Sequence, residues 1–254
     1  MHDFMADLAR RAGALVADLF HSGTYRQESK SGWDLVTEAD LRSERLIVEA
    51  VQARYPGHGI LAEESGAQGA QDDHLWLIDP LDGTLNFARG SGPWGVSIAY
   101  AHRGEVRLGM FYDPGADALY HARLGEGAYL NGRPLRVSGE DRLAAAVVVC
   151  SASHEPWREE AQRIALALWP PSTRSLRMTG CGAGALCALA AGTVDAMVEV
   201  DGGPWDYAAG ALIVREAGGV ATTVEGSAMT PRSRTVVAAA TDRLHTSLTD
   251  ALRQ

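Results

Sequence analysis

The apolar run Leu75-Trp76-Leu77-Ile78 passes directly into Asp79-Pro80-Leu81-Asp82-Gly83-Thr84-Leu85-Asn86-Phe87. The run reads as a buried strand, and two carboxylates stand three residues apart where it ends. A glycine, a threonine and a segment able to start a helix follow. Strand ends and helix starts are where α/β proteins place their sites, because both edges point into one crevice. Carboxylates bind hard divalent cations, and free N–H groups at a helix start bind phosphate. One corner of the chain therefore supplies both halves of a metal-assisted phosphate site.

The 254 residues, 46% hydrophobic, are enough for one large domain or two fused lobes. No apolar run is long enough to cross a membrane. The first residues carry Asp3, Asp7, Arg10 and Arg11, which a secretory signal would lack. The cysteines, Cys150, Cys181 and Cys187, are odd in number and have no framework spacing, which fits a reduced cytoplasm. Cys181 and Cys187 lie in a Gly/Ala-rich helical stretch and read as small core residues. A net charge of −9 argues against broad nucleic-acid binding. It suits an anionic substrate only if bound cations reverse the local sign.

Apolar residues at helical spacing predict a helix over Phe4–Phe20, and Thr37 caps a second running to about Ala53. Tyr55-Pro56-Gly57-His58-Gly59 ends it, and the strand Ile60-Leu61-Ala62 leads to Glu63-Glu64-Ser65. From Trp94 to about Val137 alternation predicts strands, with turns at Arg103-Gly104 and Asp113-Pro114-Gly115. Beyond that, strand 146–150, helix 155–168, helix 181–191, strand 194–198, helix 206–217, strand 235–239 and a helix from Thr241 alternate as α/β layers. A lobe boundary is placed near residue 140, giving an α+β lobe over 1–140 and an α/β lobe over 141–254.

Asp40, Glu63, Asp79, Asp82 and Asp206 all sit at strand ends or helix starts. If they converge, each pair about 4 Å apart repels by roughly 4 kcal/mol at an effective dielectric near 20. Either metal neutralises them or several are protonated. Taken singly, each has a plain reading: Asp82-Gly83 as a turn, Asp206 and Asp40 as helix-start charges, Glu63-Glu64 as a solvated pair, Lys30 as a surface lysine. Only jointly do these readings fail, since they leave the shared corner placement unexplained. A haloacid-dehalogenase-type Asp-x-Asp-Gly-Thr nucleophile is disfavoured against direct attack by metal-bound water, because Pro80 stands two residues before Asp82.

With these residues in view, the chain resembles the inositol monophosphatase family of Mg²⁺-dependent, lithium-sensitive phosphatases. The likeness runs nearly end to end. It is carried by Asp34-Leu35-Val36-Thr37 before Asp40, Glu63-Glu64-Ser65, Asp79 to Phe87, and Trp205-Asp206-Tyr207-Ala208-Ala209-Gly210 before Glu216-Ala217-Gly218-Gly219. The resemblance implies a layered αβαβα sandwich of the sugar-phosphatase (inositol monophosphatase/fructose-1,6-bisphosphatase) type. It implies two or three Mg²⁺ ions per subunit. Glu63, Asp79 and the Leu81 carbonyl would hold the first, and Asp79, Asp82 and Asp206 the second. A third, weaker ion would lie near Glu63. Thr84, helped by Asp40, would orient and deprotonate the attacking water. Gly83 and Thr84 N–H groups would grip phosphate, and Lys30 would approach the metal-site waters. Glu199 would contact a substrate hydroxyl, and Gly182 would stand beside the sugar ring where many members have alanine. Pro204 replaces a cysteine found in some members.

The expected reaction is hydrolysis of a small phosphate monoester by direct attack of metal-activated water, with inositol 1-phosphate favoured. Histidinol-phosphate phosphatase is the alternative, followed by fructose-1,6-bisphosphatase and 3′-phosphoadenosine 5′-phosphate phosphatase. A different class, a non-catalytic binding subunit, loses weight because every expected acid is present. The partner is a small phosphorylated polyol, with no nucleic acid and no membrane, in a cytoplasmic homodimer. Asp82→Asn is expected to abolish turnover and to leave the fold as stable or more so, by relieving repulsion.

Overall fold

Met5, Leu8, Ala12, Val16 and Leu19 recur every three or four residues, and all are buried on one face of the first helix, α1 (His2–Ser22). The computed structural model describes residues 1–31, 34–70, 73–151, 158–200 and 202–253. A hairpin follows α1: β1 (Gln27–Ser31) pairs antiparallel with β2 (Asp34–Thr37). The helix α2 (Glu38–Arg54) begins where the sequence places it. The Thr37 hydroxyl accepts the Ala39 N–H at 3.1 Å, and Asp40 accepts the Thr37 N–H at 2.8 Å.

Next come β3 (Gly59–Ala62), β4 (Gly66–Gln68), β5 (His74–Asp82), the one-turn helix α3 (Thr84–Ala88), β6 (Gly95–His102), β7 (Glu105–Asp113), β8 (Ala118–Arg123), β9 (Ala128–Leu130) and β10 (Arg133–Pro134). These strands form an eight-stranded sheet in the order β10-β9-β8-β7-β6-β5-β3-β4. Neighbours are antiparallel except β3 and β5, which run parallel. The remaining elements are β11 (Val147–Ser151), α4 (Arg158–Leu168), β12 (Ser175–Arg177), α5 (Gly182–Ala190), β13 (Ala196–Glu199), α6 (Pro204–Glu216), β14 (Val220–Thr222), β15 (Val236–Ala239) and α7 (Asp242–Leu252). Their strands make a five-stranded sheet, β12-β11-β13-β15-β14. Of the helix predicted over 155–168, residues 155–157 lie outside the described residues, as does Gly32 in the loop after Lys30.

Packing sets these parts in five layers. α1 and α2 cover one face of the large sheet, against β5, β6 and β7. α5 and α6 fill the space between the two sheets, touching β7 on one side and β13, β14 and β15 on the other. α4 and α7 close the outer face of the small sheet. Each interface has its own apolar cluster. Trp76, Ile78 and Ile98 lie under the first helix pair, Leu186, Tyr207 and Leu212 between the sheets, and Ile164, Val198 and Leu248 outside the second sheet. This is the αβαβα sandwich.

One boundary differs from the predicted one in a way that matters. The strand expected over 75–78 runs on through Asp82 as β5. Asp79 pairs with Ser97 and Asp82 with Gly95, so three steps on β5 face two on β6. That extra residue is a β-bulge, which accommodates Pro80 inside a strand. Residues three apart on a regular strand face opposite sides. The bulge removes that inversion and brings both acids to one side.

Candidate active site

Five elements deliver the site. Asp79 and Asp82 leave the bulged end of β5, and Glu63 sits in the turn after β3. Asp40 lies in the first turn of α2, Thr84 opens α3, and Asp206 lies in the first turn of α6. Gly83 makes the corner between β5 and α3. Its φ is +90°, and a Cβ there would stand 2.7 Å from the Pro93 carbonyl oxygen, so only glycine fits. Asn86, three residues on, donates to the carbonyls of Pro93 and Thr179, both at 2.8 Å. It ties α3 to the loop that leads into α5.

The acids share one electrostatic field. Burial pushes Asp79 well above the usual carboxylate range, and Glu63, Asp82 and Asp206 push it further. Asp206 is raised by burial first, then by Glu199, Glu63 and Asp82. Burial also raises Asp82, against hydrogen bonds from Cys181, Gly184 and Gly182 that hold it back. Glu63 is pushed up to about 7, chiefly by burial, with Lys30 opposing and Glu64 and Asp40 adding repulsion. The four expected metal-binding carboxylates therefore occupy one region. Their side chains are nonetheless turned to protein donors. Asp79 accepts the Leu81 N–H at 3.0 Å, Asp206 the Gly203 N–H at 2.6 Å, and Asp82 the Gly182 and Gly184 N–H groups at 2.9 and 3.2 Å. Among the described residues, no three His, Cys, Asp or Glu side chains are arranged to hold one ion as they stand. An oxygen that accepts one N–H keeps a second lone pair, so these bonds and metal ligation are compatible. The donors, all carboxylate or carbonyl oxygen, suit a hard divalent cation such as Mg²⁺. Their mutual repulsion is what such a cation relieves.

Thr84 and Asp40 meet directly. The Thr84 hydroxyl lies 2.9 Å from Asp40 Oδ1 and 2.9 Å from the Leu81 carbonyl oxygen. Asp40 is wholly buried, and its carboxyl is raised by burial against hydrogen bonds from Thr37 and Thr84. Lys30 reaches across to Glu63 at 3.2 Å and Glu64 at 2.5 Å. The Glu64 side chain is only 7% exposed, so the solvated-pair reading of Glu63-Glu64 fails.

Cys181 and Glu199 behave in ways the sequence did not show. Cys181 does sit in the core, as expected, but it also caps α5 and donates its thiol to Asp82 Oδ2 at 2.9 Å. Glu199, at the end of β13, leans into the space left by Gly182: a Cβ there would stand 2.6 Å from Glu199 Oε2. Sequence reading also missed Ser43 and Glu44. The Ser43 hydroxyl donates to the Pro80 carbonyl at 2.9 Å. Glu44 accepts the N–H groups of Glu64 and Ser65 at 2.7 and 2.8 Å. A signal was available. Ala39, Asp40, Ser43, Glu44, Ile47, Val48 and Val51 are the buried residues of α2, so two acids and a serine occupy an otherwise apolar stripe.

The family model described as "Inositol monophosphatase family" matches residues 1–254. The chain belongs to the inositol monophosphatase family. It is 35% identical over 246 residues to the inositol-1-monophosphatase of Bacillus subtilis, covering 94% of this chain and 91% of that protein. It is 40% identical over 235 residues to the Nus factor SuhB of Pasteurella multocida, covering 91% and 88%. Among solved structures, the extragenic suppressor protein suhB of Bartonella henselae superposes with a TM-score of 0.93 at 32% identity, covering 100% of this chain and 98% of that one. Inositol monophosphatase relatives are phosphatases by name, and the layered fold is theirs.

Proposed function

We propose that this family member is a Mg²⁺-dependent phosphate monoester hydrolase acting on a small phosphorylated polyol, with inositol 1-phosphate as the favoured substrate. One observation carries the reading: four carboxylates, Asp79 and Asp82 buried and Glu63 and Asp206 half-buried, repel one another beside a threonine whose hydroxyl is bonded to a fully buried aspartate. Glu63, Asp79 and the Leu81 carbonyl would hold one Mg²⁺, and Asp79, Asp82 and Asp206 another. Bound Mg²⁺ supplies Lewis-acid charge that polarises the phosphoryl group and acidifies water. Asp40 is buried, so it reaches water only through Thr84. With the Thr84 proton directed to Asp40 Oδ1, the Thr84 oxygen is an acceptor for a proton of the attacking water. The raised Asp40 carboxyl is a stronger base than an exposed one. Gly83 and Thr84 N–H groups bind the phosphate, Lys30 orients the Glu63 side, and Glu199 accepts a substrate hydroxyl next to Gly182.

The same reading takes the enzyme as a lithium-inhibited, cytoplasmic homodimer. Its lobe boundary lies near residue 140, between the last strand of the large sheet and the first of the small one. The relative named as a Nus factor raises a non-catalytic role, but this chain keeps every expected acid. Phosphate release from inositol 1-phosphate, histidinol phosphate, fructose 1,6-bisphosphate and 3′-phosphoadenosine 5′-phosphate, with and without Mg²⁺, tests both levels. The expected result is Mg²⁺-dependent release, greatest for inositol 1-phosphate and inhibited by lithium. A large excess in kcat/KM for histidinol phosphate would replace the substrate. No release from any of the four would end the catalytic reading.

A further inference from the structure

α2 aims three polar side chains at three different parts of the site. Asp40 holds Thr84, Ser43 holds the Pro80 carbonyl of the bulge, and Glu44 holds the turn that carries Glu63. These positions, i, i+3 and i+4, share one helix face. The Glu44 case is the least expected. Its neighbours on the stripe are Ile47, Val48 and Val51, and it is 4% exposed, where an aliphatic side chain would pack without desolvating a charge. Each of its oxygens accepts a separate N–H, those of Glu64 and Ser65, at 2.7 and 2.8 Å. Two charge-assisted bonds to consecutive amides fix both the place and the tilt of the peptides that follow Glu63. On the other side, the Glu63 N–H donates to the Ile78 carbonyl at 3.1 Å. The Glu63 backbone is thus pinned from β5 and from α2.

We infer that Glu44 is a positioning residue for the metal site: it clamps the Glu63–Ser65 turn so that the Glu63 carboxylate meets Mg²⁺ without reordering the backbone. This rests on the proposed reading of Glu63 as a metal ligand. Partners that orient metal ligands typically contribute 10–100-fold in metal affinity. A plain turn cap would contribute to stability alone.

Calorimetric titration of Mg²⁺ into the full chain separates these roles, using wild type, E44Q, E44D, E63Q and the E44Q/E63Q double variant. E44Q keeps the shape but offers one acceptor and turns an amide N–H₂ towards a backbone N–H. E44D keeps the charge but withdraws it by one methylene. The expected result is that E63Q weakens Mg²⁺ binding, and that E44Q and E44D each raise the apparent Kd about 10–100-fold. The double variant then binds no more weakly than E63Q alone, because Glu44 acts through Glu63. If E63Q binds Mg²⁺ like wild type, the ligand reading of Glu63 fails and this inference with it. If E63Q weakens binding while E44D matches wild type, Glu44 acts through charge or not at all, and the positioning role is overturned. Additive losses in the double variant overturn it too. So does failure of both Glu44 variants to show a folded circular dichroism spectrum, since the role is then one of folding.

Discussion

Asp79 and Asp82 carry the same charge in the same strand, yet their environments set opposite consequences for removing it. Asp79 gives one oxygen to the Leu81 N–H and is otherwise pressed by three other carboxylates. Asparagine can keep that acceptor and drop the charge. Asp79→Asn should lower kcat at least about 100-fold, the scale of losing one electrostatic contact to developing charge. In chelator its Tm should equal or exceed that of wild type, by about 2–4 °C if ~1 kcal/mol of repulsion is relieved. Phosphate release and thermal melts on the same preparation check both, and a near wild-type kcat would remove Asp79 from the metal set. Asp82 differs, because its two oxygens accept from Gly182, Gly184 and the Cys181 thiol. An amide there sets donor against donor, at about 1–3 kcal/mol. Repulsion alone would leave Asp82→Asn as stable as wild type or more so; with these donors in place, the same assays should show both kcat and Tm below wild type.

At the scale of elements, α5 and β13 come close where Gly182 faces Glu199, on the side proposed to take the substrate. Gly182→Ala would force the Glu199 carboxylate away from the helix start, since 2.6 Å is too close for a methyl group. Hydrogen bonds to a charged group contribute about 1.5–3 kcal/mol, so the variant should change the preference for inositol 1-phosphate over glycerol 2-phosphate by about tenfold or more. Its Mg²⁺ dependence should stay as in wild type. An unchanged kcat/KM ratio would take Glu199 out of substrate selection. The long elements were legible in the sequence for physical reasons: α1 by its 3.6-residue stripe, α2 by its Thr37 cap, β6 and β7 by alternation about the Arg103-Gly104 turn. Strands of three residues such as β4, β12 and β14 were not, because so short a span has no period to read. The true length of β5 was hidden by Pro80, which argues against a strand interior until a bulge is known to hold it. The acids of the site were legible because they cluster at corners. Glu44 stood out only as an acid in an apolar stripe; its partners and that of the Cys181 thiol were hidden, because they lie about 20 and 100 residues away in sequence.

At the scale of the whole molecule, the two sheets and the helices between them bury a set of carboxylates whose combined charge opposes the fold. Glu63 shows the sign. Its folded value, about 7, lies above its ordinary 4.5. Between those limits the native chain holds a proton that the unfolded chain has lost, so the contribution to stability falls as pH rises. Asp79, Asp82 and Asp206 shift in the same direction. Mg²⁺ binds the ionised forms, so its stabilising effect grows with pH as it competes less with protons. Unfolding free energy measured from pH 4.5 to 7, in chelator and in saturating Mg²⁺, tests the shared-cation site most directly. The predicted result is a Mg²⁺-dependent gain that is small at the acid end and widens steadily towards pH 7. Parallel profiles, with a constant gain or none, would contradict it.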